Sequence, residues 1–267
     1  MFTDSHCHLA APELIADVPQ IQQAMAAARV TRALCVSTTM EGFPAVQALA
    51  ARYDNLWATV GLHPEDEGHE PSVDELVGAA ALAKVVAIGE TGLDYYRLDA
   101  HDDAERAAVR ERQRERFRTH IRAARRAHIP LVIHTRAASD DTLALLDEEG
   151  EDGTAGCAGG VFHCFTESLE VARAALDRGF YVSFSGIVTF KNAREVQAVV
   201  PYVPDDRLLI ETDSPYLAPV PFRGKRNTPA YVPHVAARVA ELRGATVEHI
   251  AEQTSANFTR LFLRERG

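Results

Sequence analysis

Apolar positions along this chain follow two rhythms in turn. Short apolar runs, suited to strands buried on both faces, alternate with longer stretches in which apolar residues recur three or four apart. The runs predict strands over residues 2–9, 33–37, 56–62, 85–89, 131–133, 160–162, 180–184 and 208–210. Between them the helical spacing, clearest at Ile15, Val18, Ile21 and Met25, predicts helices over 12–29, 41–53, 103–128, 140–149, 167–178 and 193–200. Ser72 and Glu75 form a capping box that opens another helix through Ala83. After residue 210 comes a loop rich in Pro and Gly, then helices that include 247–253 and 256–263. Eight strands alternating with helices over 267 residues predict a single-domain (β/α)8 TIM barrel spanning 1–267. A doubly wound open sheet is the alternative, but no glycine-rich phosphate fingerprint follows any strand.

Composition narrows the setting. The chain is 46% hydrophobic and 25% charged, ordinary for a globular domain with a substantial core. Asp4 and His6 interrupt any leader-like apolar region, and no run reaches the length of a membrane span, so a cytoplasmic protein is expected, with monomer as the default state. Cys7, Cys35, Cys157 and Cys164 form no Cys-x-x-Cys motif and read as reduced structural thiols. Asn257-Phe258-Thr259 fits a glycosylation sequon but without secretion is a chance match. A net charge of −10 argues against coating nucleic acid through bulk electrostatics, though not against an enzyme that takes one strand end into a local site.

The chemistry gathers at the strand ends. His6 and His8 are two apart on the first strand and share one face, with Cys7 pointing the other way. His63 follows the third strand, Glu90 the fourth, His134 the fifth, His163 the sixth and Asp213 the eighth. A lone His beside an apolar run is more often a hydrogen-bonded edge residue than a ligand. So many at the carboxyl ends of successive strands converge on one barrel mouth, where this fold places its active sites. Imidazole with carboxylate suits zinc, manganese, iron or cobalt, whereas magnesium prefers oxygen ligands. His6, His8 and Asp213 can hold one ion and His134 with His163 a second, with Glu90 able to bridge. Two ions about 3.5–4 Å apart clamp the attacking and leaving oxygens of a phosphoryl displacement.

Six motifs in order carry a resemblance: Asp4-Ser5-His6-Cys7-His8, Gly61-Leu62-His63-Pro64, Gly89-Glu90-Thr91-Gly92-Leu93-Asp94, His134-Thr135-Arg136, Phe162-His163-Cys164-Phe165 and Glu211-Thr212-Asp213-Ser214-Pro215-Tyr216-Leu217. Over nearly its whole length the chain resembles the TatD-type deoxyribonuclease family of metal-dependent hydrolases, known as (β/α)8 barrels with one to three divalent metals and 3′ to 5′ exonuclease action on DNA. The resemblance implies His6, His8, Glu90 and Asp213 at a first metal and Glu90, His134 and His163 at a second. It implies that Asp213 takes or relays the proton of the attacking water and that His63 stands near the scissile phosphate, so Asp213, Glu90 and His63 are the expected catalytic residues. The family usually has Ser where Thr135 stands here, a mild departure that leaves metal binding untouched.

Basic residues bear on the substrate. Arg223, Lys225 and Arg226 follow the eighth strand and Arg136 adjoins His134, which makes all four candidate phosphate contacts, Arg136 in bidentate fashion. Phe190 and Lys191 after the seventh strand offer a ring for stacking and a charge. Nine arginines against three glutamates lie between Glu105 and Arg126, and a solvated face of an amphipathic helix is the expectation there. The function expected is a phosphodiesterase trimming DNA, with single-stranded ends as substrate and two zinc, manganese or magnesium ions per chain. The alternative is an amidohydrolase-type enzyme acting on esters or amides, including a deacylase of misacylated tRNA. That broader group often bridges its metals with a modified Lys from the fourth strand, where this chain has Glu90. A non-catalytic metal-binding scaffold would be expected to lack Asp213.

Overall fold

Interior positions of the strands are apolar low in the barrel and polar at its top, and that one switch places the chemistry. In a computed structural model describing residues 1–98 and 102–263, eight parallel strands run in chain order: β1 (Phe2–Cys7), β2 (Val30–Cys35), β3 (Leu56–Val60), β4 (Val85–Asp94), β5 (Leu131–Arg136), β6 (Gly160–Phe162), β7 (Tyr181–Phe184) and β8 (Leu208–Ile210). Leu34, Val132, Val161, Tyr181 and Leu209 form one buried cluster inside the barrel, joined by Phe258, Leu261 and Phe262 of the last helix. Their strand neighbours Cys35, Ile133, Phe162, Val182 and Ile210 pack outward in the larger cluster under the helices. Two residues on from Val132, Val161 and Leu209 the same inward face carries His134, His163 and Glu211.

The helices are α1 (Val18–Ala27), α2 (Phe43–Arg52), α3 (Val73–Ala80), α4 (Asp103–Ala127), α5 (Ser139–Glu148), α6 (Leu169–Asp177), α7 (Arg194–Val199), α8 (Val232–Arg243) and α9 (Val247–Phe262). The capping box is present on α3, and Asp102, Ser168 and Thr246 cap α4, α6 and α9 by accepting a backbone N–H from the residue three positions on. Two expectations change. The first helix starts only at Val18, after a short 3₁₀ turn, because Pro19 fits nowhere but a first turn. The last two helices are one, which runs unbroken through the polar stretch between them, where the Thr254 hydroxyl bonds back to the Ile250 carbonyl at 2.7 Å. No helix among the described residues is long and apolar enough to cross a membrane.

Between β8 and β1 the ladder gives way to single bonds. The Cys7–Ser214 bridge, Asp213 N–H to the His6 carbonyl at 3.0 Å, and His8 N–H to the Ser214 carbonyl at 2.8 Å close the ring. Buried Asp4 reinforces this seam: its carboxylate accepts the Thr212 hydroxyl at 2.6 Å, the Thr212 N–H at 2.9 Å and the His6 N–H at 3.2 Å. Burial pushes the Asp4 pKa up to about 8 against the pull of those bonds. All four cysteines are free thiols, and Asn257 of the sequon is buried with its amide on the Asp205 and Leu208 carbonyls.

Candidate metal centre

Glu90 reaches the mouth by a local irregularity. The β4 register shifts between Ile88 and Thr91, and Gly89, at φ 151°, approaches β5 so closely that a Cβ would stand 2.6 Å from the Val132 carbonyl oxygen. The Glu90 side chain, buried on the barrel axis side, then has ligand atoms around both oxygens. Oε2 lies 3.4 Å from His6 Nε2 and 3.7 Å from His8 Nε2. Oε1 lies 2.8 Å from His163 Nε2, 3.2 Å from His134 Nδ1 and 3.6 Å from His63 Nε2. On the first side His6 Nε2 and His8 Nε2 are 3.1 Å apart, with Asp213 Oδ1 3.2 Å from His8 and 3.7 Å from His6.

These are the spacings of atoms that share a cation. Ligands each about 2.1 Å from one ion stand roughly 3.0–3.4 Å apart. His163 Nε2 gives the test of fit, because it is buried beside Glu90 Oε1 yet lacks the alignment of a hydrogen bond, so its nitrogen is aimed at the space between donors. Three groupings could hold an ion: His6 with His8 and Asp213; His6 with Glu90 and His163; and Glu90 with His63 and His134.

The outer nitrogens set the tautomers. His8 Nδ1 faces the Val36 carbonyl at 3.2 Å, His134 Nε2 faces Asp94 at 3.0 Å and His163 Nδ1 faces Glu211 at 3.2 Å. In the neutral ring each of these must donate, which leaves the other nitrogen unprotonated and turned toward Glu90 or Asp213. His63 is built the opposite way. Its Nδ1 accepts the Glu65 N–H at 3.2 Å, so in the neutral ring the proton sits on Nε2, facing Glu90. Among the described residues nothing comparable orients His6, whose buried Nδ1 has no partner there. Asp94 and Glu211 had no role in the sequence reading; the signal was their place inside the fourth and eighth-strand motifs, two to four residues from a ligand.

Charge is distributed accordingly. Burial raises the Glu90 pKa, but His163, His63 and His6 more than reverse it, and the carboxyl is held well below the usual range. Burial lowers His163, and Glu90 and Glu211 overcome that, so its pKa lies well above normal. His134 is raised likewise, burial being outweighed by Asp94 and Glu90. His63 is pushed down to about 3, chiefly by burial.

The expected substrate residues divide. Arg136 lies 3.7 Å over the Tyr96 ring and Arg223 3.6 Å over Phe190, while Lys225 is 5.8 Å from the Phe222 ring. Arg226 is engaged with Asp17 at 2.7 Å and the Glu13 carbonyl at 2.6 Å, tying its loop to the segment after β1. The arginine-rich helix α4 is less solvated than expected. Arg116 is buried and holds Glu70 together with the His63 and Pro64 carbonyls, while Arg118, Arg122 and Arg125 pair with Glu148, Glu149 and Glu151. These cations join α4 to its neighbours.

Comparison with known proteins bears on the same residues. The family profile described as TatD related DNase matches residues 3–263. The chain belongs to the TatD related DNase family. Within it, the chain is 47% identical over 262 residues to the uncharacterized metal-dependent hydrolase YcfH of Escherichia coli (strain K12), covering 97% of this chain and 94% of that one. It is 33% identical over 266 residues to the 3'-5' ssDNA/RNA exonuclease TatD of Citrobacter rodentium (strain ICC168), covering 97% of each. Among solved structures, YJJV, a TatD homologue from Escherichia coli K12, superimposes with a TM-score of 0.87 at 31% identity over 98% of both chains.

Proposed function

We propose that this TatD-family protein is a metal-dependent phosphodiesterase that shortens DNA from an end, 3′ to 5′, with Glu90 among the residues that would hold its divalent ions. The observation that carries the reading is the division of the two Glu90 oxygens between His6 with His8 on one side and His134 with His163 on the other. The exonuclease name of the Citrobacter relative supports the substrate class. Bound divalent ions would polarise the phosphoryl group and lower the pKa of water.

Every other part of the task falls to side chains. His6, His8, Asp213 and Glu90 would hold one ion, and Glu90, His134 and His163 the other. Asp213, turned in at φ 56° just past β8 and kept ionised by His8 and His6 against the effect of burial, accepts the proton of the attacking water. His63 presents an N–H at Nε2 and so suits donation to a phosphate or leaving oxygen better than ligation. Arg136, Arg223 and Lys225 meet phosphates further along the strand, while Arg226 serves as a tether. A single-stranded end, a monomeric enzyme and a cytoplasmic setting belong to the same proposal.

The test is digestion of end-labelled single-stranded DNA by metal-stripped protein re-supplied with magnesium, manganese or zinc, beside His134→Ala. Stepwise shortening that needs metal and is lost in the variant is the expected result. Folded, loaded protein that digests nothing with any metal would overturn it and turn attention to acyl substrates, misacylated tRNA included.

A further inference from the structure

We propose that the hollow beside His8 seats the base of the terminal nucleotide of the strand being cut. The proposal rests on the nuclease reading above and adds where the end of the strand goes. The hollow has a volume of about 290 Å³ and shares His8 with the grouping of His6, His8 and Asp213. That size is near the lower end for small-molecule sites. Its walls come from four places: Ala10 and Pro12 after β1, Val36 and Thr38 after β2, Val46 on α2, and Tyr216 after β8.

The wall chemistry selects the occupant. Among the described residues no Lys, Arg, Asp or Glu lines the hollow. A phosphate there would lose its hydration without gaining a counter-charge, whereas a flat neutral ring buries apolar area against Ala10, Pro12, Val36 and Val46. Tyr216 also supplies a stacking face: its ring centroid is 6.2 Å from that of His8, and the residue is 56% exposed. Exposed rings are usually free to move, but the main chain of this one is pinned. The Tyr216 N–H donates to the Asp213 carbonyl at 2.9 Å, and its own carbonyl accepts the amide of buried Asn227 at 2.6 Å, an amide that also bonds the Thr212 carbonyl at 2.9 Å. The turn that aims Asp213 therefore also positions the ring.

The walls are joined to the ligands as well. The Val36 carbonyl faces His8 Nδ1 at 3.2 Å, and the Ser37 carbonyl accepts the Glu90 N–H at 2.8 Å. A base held against these residues is registered to the ligand atoms, so the bond brought to them is the one next to the strand end. The hollow thus favours removal of single nucleotides over cutting within a strand.

The experiment compares kcat/KM for single strands ending in an intact nucleotide and in an abasic one at the digested end, with manganese-loaded wild type, Tyr216→Ala, Tyr216→Phe and Ala45→Leu. Ala45 is an exposed α2 residue on the rim, so Leu there fills the hollow without disturbing the core. Wild type should prefer the intact end by about tenfold, as one base–aromatic stack supplies. Tyr216→Ala and Ala45→Leu should bring that ratio towards one, and Tyr216→Phe should keep it. Digestion with no preference, or a preference untouched by Tyr216→Ala and Ala45→Leu, overturns the hollow's role and leaves the nuclease reading standing. Absence of digestion of either strand by wild type overturns both.

Discussion

The backbone N–H of Asp213 donates to the carbonyl of His6 at 3.0 Å, across the seam between β8 and β1 where the barrel's strand ladder is reduced to single bonds. Two proposed ligands of one ion are thus held together by main-chain geometry, and their side chains need only short reaches to converge. Asp4 and Thr212 brace the same seam from below.

Asp213→Asn should keep the fold and the local hydrogen bond while removing the proton acceptor. We expect kcat to fall by about 10²–10⁴ with a much smaller change in substrate Kd. Turnover within a few-fold of wild type would remove Asp213 from the role of base.

Metal binding should release protons. The pKa values of His163, His134 and His8 are raised in the folded protein; the stability this contributes is full below their unfolded value of 6.5 and is lost as pH rises through the folded pKa. Glu90 and Asp213 have depressed values, and the stability they contribute is present above the usual carboxylate range and lost as pH falls through theirs. A cation needs the histidines deprotonated, so affinity should rise with pH until their raised folded values are passed, by about tenfold per pH unit for each proton displaced. Calorimetric titration of the metal-stripped protein in two buffers of different ionisation enthalpy checks both sign and count.

Arg116→Lys should be far from conservative. The guanidinium bonds Glu70 and two carbonyls of the His63 loop with its side chain 1% exposed, a fan of donors an ammonium cannot reproduce. A loss of about 3 kcal/mol in urea unfolding is expected, with kcat lowered through a displaced His63. Unchanged stability would show that the loop holds itself.

Arg223→Ala should raise KM on a single strand and flatten the dependence of log(kcat/KM) on log salt by roughly 0.7, the signature of one lost phosphate contact. The stack on Phe190 would be lost with it, so Phe190→Leu run alongside separates ring from charge. An unaltered slope would return Arg223 to a packing role.

Much of this protein is decided locally and is therefore legible in the sequence. Strand alternation has a period of two, so once Val132, Val161 and Leu209 face inward, His134, His163 and Glu211 must do so as well, whatever surrounds them. The same short-range rule gives the His6 and His8 pair. What the tertiary structure decided are relations between distant parts of the chain. Glu90 points inward through a register shift against β5, which no alternation predicts. The tautomers of His8, His134 and His163 depend on Val36, Asp94 and Glu211, which lie 28, 40 and 48 residues away in sequence. Arg226 could be read as a free cation until Asp17 was found beside it, and α4 as a solvated face until Glu70, Glu148 and Glu149 were seen across from it. Local periodicity sets which way a side chain points; only packing of separate elements sets what it meets.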